Sequence, residues 1–278
     1  MVTWKTGNFG RGFFNIHNLG KLAGKYDLTF ASSQVEDWKS PIISLLTFSP
    51  HRIGAANFKG GSIYTISAFI PRDLHIGKRD WVLVKLINPR IEPSLPSLSI
   101  PEHIQEKARR LLPFEKKGKK RVVFHFFSPW LKFKNWEEEK VIKLGNILAR
   151  QGIQIVFLGD EEEKECNAFL SARIPHSLDL SGKVPHPLLL AALISRCDLF
   201  IGIDSGPAHL SGIMGTPMVL LFGPTPPSLY APLTGRCSLI QKKLPCSPCY
   251  PGLKHCANPR CMKNITVEDV LKKVSSFL

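Results

Sequence analysis

The chain has 278 residues, 44% of them hydrophobic, so it can bury a substantial core and falls outside the disordered class. Its apolar runs are shorter than the roughly 18 residues of a membrane-spanning helix, and its first residues show no apolar signal core, so we expect a cytoplasmic protein. Lys and Arg outnumber Asp and Glu by 37 to 22, a net charge of +15, and 19 of the basic side chains lie in residues 1–120. Such an excess suits nucleic acid, an anionic membrane or a phosphorylated substrate as partner, and it also suits plain solubility.

The first 120 residues alternate between regular and irregular segments. The pattern predicts a helix followed by a strand within 13–32, and loops over 55–80. Further elements are expected as a helix at 35–48, a strand at 51–54, an amphipathic element at 81–87 and a helix at 102–112. The basic run at 116–120 is typical of a solvated linker. We therefore place one domain in residues 1–115 and a second in residues 121–278.

From residue 121 the pattern becomes regular. Strands are predicted at 121–127, 153–158, 177–180, 199–203 and 217–222, alternating with helices at 136–150, from 159, at 188–195 and at 210–215, and a last helix spans 267–277. Strands that alternate with helices of this length form a parallel sheet covered on both faces. The second domain is therefore predicted to be Rossmann-like α/β.

The segment from 197 to 227 carries the clearest sign of a functional site. Asp204 follows a buried strand, Ser205 can cap the next helix, and Gly206 lets a backbone or ligand come close. His209 lies about one turn further along the same side of that helix. A glycine turn that leads into a helix at the carboxyl end of a parallel strand predicts an anion site. Strand–turn–helix units also occur in proteins that bind no phosphate, so this pattern alone is weak.

The wider string is more specific. Asp204-Ser205-Gly206-Pro207-Ala208-His209, then Gly215-Thr216-Pro217, then Leu221-Phe222-Gly223-Pro224-Thr225-Pro226 closely resembles the signature of glycosyltransferase family 9, the family of lipopolysaccharide heptosyltransferases. The resemblance implies a GT-B type fold of two Rossmann-like domains that acts without a metal or other cofactor. It also implies ADP-heptose as the nucleotide-sugar donor and the lipopolysaccharide inner core as acceptor. We accordingly expect peripheral contact with the cytosolic face of the inner membrane, and no nucleic-acid partner.

The resemblance extends to single residues of the donor site. Lys134 precedes Trp136 as in the family's Lys-x-Trp, whose lysine meets the sugar nucleotide. Glu163 follows Gly159 as in the family's Gly-x-x-x-Glu, whose glutamate contacts the nucleotide ribose. Gly182 belongs to a loop similar to the family's loop near the base. The donor-binding residues implied are Lys134, Glu163, Gly182, Asp204, Ser205, Gly206 and His209.

The family's N-terminal domain is matched only in part. Tyr26-Asp27-Leu28 and Arg52-Ile53-Gly54 resemble two of its strands, whereas its first strand and Gly-Asp loop have no counterpart in this sequence. The aspartate of that loop is the family's proposed catalytic base, so no catalytic residue is assigned. We expect the N-terminal domain to be incomplete, and a catalytically inactive homologue that still binds a nucleotide sugar is the alternative hypothesis.

Four cysteines are clustered near the C-terminus, at Cys246, Cys249, Cys256 and Cys261. Four thiols at this spacing can form a zinc or iron–sulfur site, and a reduced or disulfide-linked loop is the other interpretation. Many family members resemble this segment. A nucleic-acid-binding protein with a zinc module would use the charge and the cysteines but leaves 204–226 unexplained, so we rank it last.

Overall fold

The structure, a computed structural model, describes residues 23–33, 38–113, 119–250, 252 and 256–278. Two compact units make up the chain, Met1–Pro93 and Ser94–Leu278. Most of the helix predicted at the start of 13–32 lies outside the described residues, and its last four positions, 23–26, are turn and irregular chain. The α/β class with parallel sheets is as predicted.

The first unit contains a three-stranded parallel sheet of order β1-β2-β3. Its strands are β1 (Leu28–Phe30), β2 (His51–Ala55) and β3 (Ile66–Ala68), and its helices are α1 (Lys39–Leu46) and α2 (Ile76–Ile87). The three final residues of the central strand β2 are buried, and Ile53 packs with Ile70 and Leu83 in a small core. Strand β3 lies within the segment predicted as loops, because a three-residue strand gives too short an apolar pattern to recognise.

The second unit is built on a six-stranded parallel sheet of order β6-β5-β4-β7-β8-β9. Its strands are β4 (Arg121–His125), β5 (Gln154–Phe157), β6 (Leu178–Asp179), β7 (Leu199–Ile203), β8 (Met218–Phe222) and β9 (Cys237–Gln241). Its helices are α3 (Glu102–Leu111), α4 (Glu138–Arg150), α5 (Lys164–Ser171), α6 (Pro187–Ile194), α7 (Gly206–Met214), α8 (Pro227–Tyr230), α9 (Arg260–Lys263) and α10 (Val267–Val274).

The strand order in this sheet reverses between β4 and β7, while all six strands run parallel. Every residue of β4, β7 and β8 is buried, since helices cover both faces of the sheet. Alternate side chains enter two cores. Val122 and Phe124 belong to the core that α4 and α10 cover, whereas Val123 and Phe200 belong to the core shared with α3 and α6. The fully buried strands explain why these segments are continuous apolar runs in the sequence.

Helix α3 belongs to the second unit, which begins at Ser94. The predicted boundary at 115–121 placed this helix in the first domain. Ala108 and Leu112 are buried in the same core as Leu189 of α6, and Arg196 Nε donates a hydrogen bond to the Leu112 carbonyl at 3.0 Å. The basic run therefore follows an element of the second unit. None of the helices in the described ranges is both long and apolar enough to span a bilayer.

Candidate functional site

The candidate site lies at the carboxyl ends of β4 and β7, where the strand order reverses. In open parallel sheets this reversal leaves a crevice, because the loops that follow the two strands run to opposite faces. Lys134 comes from the loop after β4, and Asp204 follows β7 directly. The two predicted donor-site positions thus come from neighbouring strands that are far apart in the sequence.

Lys134 and Asp204 form a nearly buried ion pair. Lys134 Nζ lies 2.7 Å from Asp204 Oδ2, and the two side chains are only 11% and 10% exposed. Within the loop that carries Lys134, the Asn135 side-chain oxygen accepts a hydrogen bond from Ser128 N at 2.8 Å. The Tyr250 ring lies with its centroid 5.2 Å from the Lys134 ammonium, within cation–π range. The Lys134 ammonium is therefore held in a fixed position, largely shielded from water, at the carboxyl end of the sheet.

The N-terminus of α7 opens beside this pair. Ser205 is the N-cap residue, yet its side chain makes no capping hydrogen bond, and its buried Oγ has no partner among the described residues. A Cβ added to Gly206 would meet nothing within 4 Å, so there is free space in front of the helix. The first-turn N–H groups have no acceptor within the helix, and its dipole favours negative charge at this end. His209 lies in the same helix, and its backbone N–H donates to the Ser205 carbonyl at 3.3 Å.

Glu163 is the buried member of the acidic run at 160–163. Its Oε2 accepts a hydrogen bond from Asp160 N at 3.0 Å, while Asp160 Oδ1 accepts from Glu163 N at 3.2 Å. This reciprocal pattern has the form of a capping box and closes the turn at 160–163 that leads into α5. A Cβ on Gly159 would lie 2.7 Å from Glu163 Oε2, so glycine at this position makes room for the carboxylate.

The remaining oxygen of Glu163 faces a histidine that the sequence analysis missed. His125, the last residue of β4, places its Nε2 3.2 Å from Glu163 Oε1, and the side chains are 6% and 8% exposed. In the sequence His125 is only a polar residue within the apolar run 121–127. Its position at the carboxyl end of a buried strand is the signal that could have identified it.

Gly182 lies against the loop that carries Glu163. Its φ of +71° is in the left-handed region, and a Cβ there would approach Glu161 Oε2 to 2.4 Å, so both backbone and space favour glycine. Gly182 N donates to the Gly159 carbonyl at 3.1 Å. The predicted residues thus form two groups, Lys134 with 204–209 at the end of β7, and Glu163 with Gly182 at the ends of β5 and β6.

The four clustered cysteines are free thiols, with Cys246 exposed and Cys261 buried. The described part of the chain contains no group of three or more His, Cys, Asp or Glu side chains arranged to hold a metal. Burial raises the pKa of Cys249 and of Cys261, and the neighbouring cysteines raise both further. The segment is connected to the site, since the N–H groups of Cys249 and Tyr250 donate to the Pro224 carbonyl at 2.8 and 2.9 Å.

Comparison with curated proteins returns heptosyltransferases. Lipooligosaccharide heptosyltransferase 2 of Haemophilus influenzae is 26% identical over 260 residues, 84% of this chain and 71% of that protein. The Campylobacter jejuni enzyme of that name is 27% identical over 195 residues, 66% of this chain and 60% of the relative. Lipopolysaccharide heptosyltransferase 3 of Escherichia coli is 32% identical over 133 residues, 46% of this chain and 38% of the relative. The chain therefore matches less than two thirds of the length of the latter two.

Solved structures share the fold. The glycosyl transferase family 9 protein from Veillonella parvula superimposes with a TM-score of 0.80 at 20% identity, covering 96% of this chain and 80% of that one. E. coli ADP-heptose lps heptosyltransferase II superimposes with a TM-score of 0.73 at 19% identity, covering 94% and 78%. The fold is therefore of the GT-B type found in these proteins. The family model for glycosyltransferase family 9 (heptosyltransferase) matches residues 17–258. This chain belongs to glycosyltransferase family 9.

Proposed function

We propose that the chain transfers heptose from ADP-heptose to the inner core of lipopolysaccharide. The observation that carries the proposal is the buried Lys134–Asp204 pair beside the open N-terminus of α7. Relatives named as lipopolysaccharide and lipooligosaccharide heptosyltransferases support the choice of sugar and acceptor.

The donor's diphosphate would bind in front of α7. The N–H groups of Ser205 and Gly206, the unpartnered Ser205 hydroxyl and the Lys134 ammonium together offer donors and positive charge to its oxygens. Asp204 holds Lys134 in place by their 2.7 Å contact, and His209 stands one turn further along α7. Because the Lys134 ammonium is largely shielded from water, its attraction to a ligand anion is stronger than at an exposed site.

The nucleoside would extend toward β5 and β6. Glu163 is suited to accept hydrogen bonds from the ribose hydroxyls, because one of its carboxylate oxygens is not used by the capping box. Gly182, one loop further along, would lie beside the base. In this arrangement the two groups of residues would contact the two ends of one extended nucleotide.

In the transfer, the acceptor hydroxyl forms a bond to the anomeric carbon while the bond from that carbon to the diphosphate oxygen breaks. The departing diphosphate takes the bonding electron pair, so negative charge grows where Lys134 and the start of α7 supply positive potential. Stabilisation of that growing charge by fixed dipoles and a fixed cation lowers the barrier. The hydroxyl proton leaves to a base that we do not assign.

We also propose cytoplasmic action with peripheral contact at the inner-membrane face, where a lipid-linked acceptor is presented. The basic excess of residues 1–120 supports attraction to anionic lipid. Trp38, Phe48 and Phe69 of the first unit are 55%, 72% and 71% exposed and could insert among headgroups.

The first test is calorimetric titration of the chain with ADP, UDP and GDP, repeated on Asp204→Ala. We expect selective ADP binding that is lost in the variant, with Asp73→Ala, an exposed aspartate of the first unit, as matched control. Absence of binding by all three nucleotides would overturn the proposal. Transfer from ADP-heptose to a lipopolysaccharide acceptor then separates an enzyme from the alternative, an inactive homologue that binds donor without turnover.

A further inference from the structure

The contact between His125 and Glu163 leads to an inference about the specificity of the site. Both side chains are more than nine-tenths buried. His125 is the last residue of β4, and Glu163 lies on the loop after β5. Neither the capping box of Glu163 nor the pairing of β4 in the sheet needs the imidazole. Its presence therefore calls for a separate reason.

The position of His125 is fixed by its neighbours. In the sheet it pairs with Gly202 of β7, and a Cβ on Gly202 would lie 2.3 Å from the His125 carbonyl oxygen. The imidazole stacks on Phe200 with ring centroids 6.3 Å apart and an interplanar angle of 24°. The ring is thus held in one orientation, with Nε2 toward Glu163.

Only one of the two ring nitrogens of the imidazole has a polar partner among the described residues. Its Nδ1 is buried and has no hydrogen-bond partner among the described residues. A buried polar atom without a partner costs free energy, and a phenylalanine of similar shape would avoid that cost. The contact of Nε2 with Glu163 Oε1, at 3.2 Å, offsets this cost. A carboxylate taken out of water needs a positive or N–H-bearing neighbour, and the imidazole is that neighbour.

The two oxygens of Glu163 have different tasks. Oε2 closes the capping box through Asp160 N, whereas Oε1 contacts the imidazole and takes no part in the cap. Oε1 is therefore the oxygen that the cap leaves available to a ligand hydroxyl. The imidazole restrains that oxygen from the side of the sheet.

We propose that His125 is a positioning residue that orients the Glu163 carboxylate for the ribose hydroxyls and so makes the site select ribonucleotides over deoxyribonucleotides. The inference rests on the proposed function, in which Glu163 receives the ribose. His125 acts through Glu163 and does not touch the nucleotide.

The experiment compares binding of ADP and of 2′,3′-dideoxyadenosine diphosphate by calorimetry. The parent chain should prefer ADP by at least about tenfold, the usual effect of a hydrogen bond to a charged group. His125→Phe should lower ADP affinity about tenfold and leave dideoxy-ADP affinity within about twofold. His125→Gln, whose amide nitrogen can reach the place of Nε2, should keep the preference, and Glu163→Gln should lose it. His103→Phe, on an exposed histidine of α3, is the matched control.

The outcomes are distinguishable. A parent chain that binds neither nucleotide overturns the proposed function, and the inference with it. If the parent chain prefers ADP and His125→Phe keeps the same preference, His125 is only structural and the inference is wrong. Should His125→Phe fail to fold, His125→Asn decides, since its shorter amide does not reach Glu163. The inference is supported if His125→Asn loses the preference for ADP and His125→Gln keeps it. It is overturned if the two variants show the same preference.

Discussion

Trp136 donates its indole N–H to the carbonyl of Ile265 at 3.1 Å, across 129 residues of sequence. Trp136 is two residues beyond Lys134, and Ile265 comes just before α10. The Lys140 ammonium also donates to the Ile265 carbonyl, at 3.2 Å. The loop that presents the Lys134 ammonium is thereby attached to the C-terminal segment of the chain.

Replacing Trp136 by phenylalanine should weaken that attachment. The side chain is 1% exposed and packs on Phe126 with ring centroids 5.2 Å apart, so the variant loses both a hydrogen bond and buried volume. We expect the free energy of unfolding to fall by about 1–2 kcal/mol, measured by urea denaturation. Trp130→Phe is the control, because Trp130 is 78% exposed and should unfold like the parent chain. Equal stability of the two variants would contradict the role of Trp136.

Variants of Lys134 and Asp204 should distinguish the effect of the pair on stability from its effect on ligand binding. Lys134→Met or Asp204→Asn alone leaves one buried charge without its partner, which should cost about 3 kcal/mol of unfolding free energy. The double variant buries no charge and should recover most of that loss, yet bind no ADP. Urea denaturation and ADP titration of all three variants provide the test. Additive destabilisation in the double variant would show that the two charges do not compensate each other.

Gly202→Ala should be strongly destabilising, although the change adds a single methyl group. The new Cβ would lie 2.3 Å from the His125 backbone oxygen, and neighbouring parallel strands cannot separate without loss of their hydrogen bonds. We expect a loss of about 2 kcal/mol or more, measured by thermal and urea unfolding. Gly235→Ala is the matched control, since its Cβ would meet nothing within 4 Å. A Gly202→Ala variant as stable as the parent chain would contradict the close approach of β7 to the His125 carbonyl.

Asp269 should make the stability of the second unit depend on pH. Partial burial raises its pKa, but the hydrogen bonds from Lys242 and from Thr266 N outweigh that effect, so the pKa lies below its usual 3.8. A pKa lowered by folding adds stability above the pKa of the unfolded chain, and the contribution is lost as pH falls through the folded value. Asp269→Asn should therefore cost about 1 kcal/mol at pH 7 and at pH 5, and progressively less below about pH 4.

Urea denaturation at pH 7, 5 and 3.5 gives this dependence, with Asp73→Asn as the control because that side chain is exposed. If Asp269→Asn and the parent chain differ by the same free energy of unfolding at all three pH values, the lowered pKa of Asp269 is contradicted.

Prediction from sequence succeeded where burial leaves a continuous pattern. Strand β7 was predicted at 199–203, as observed, because all five residues are apolar or glycine and all are buried. Strand β9 (Cys237–Gln241) was missed, since it lies at the sheet edge and only Ile240 is buried. Helix α3 was recognised and expected in the first domain, whereas the structure groups it with the second unit, because its packing on α6 is not visible in the local sequence pattern.

The site was predicted in the same uneven way. The turn at 204–206 is local, so its residue types reveal it. The contact of Lys134 with Asp204 joins positions 70 residues apart, and only the resemblance to a family suggested that both serve one ligand. His125 lies at the carboxyl end of a buried strand, but its contact with Glu163 could not be predicted, because Glu163 lies on the loop after the neighbouring strand. Within the acidic run, the family's Gly-x-x-x-Glu spacing selected Glu163, and Glu163 is the member of the run that is buried.

The position of β4 at the centre of the sheet has a consequence for the order in which the molecule is assembled. β4 is the first strand of its sheet to leave the ribosome, and β5 and β6 can extend the sheet on one side while β7 is still being synthesised. The crevice comes into existence only when β7 joins β4 from the other side. Nucleotide added during synthesis can therefore stabilise only chains in which the later half has already joined, and ADP protection against a protease would report completion of the fold.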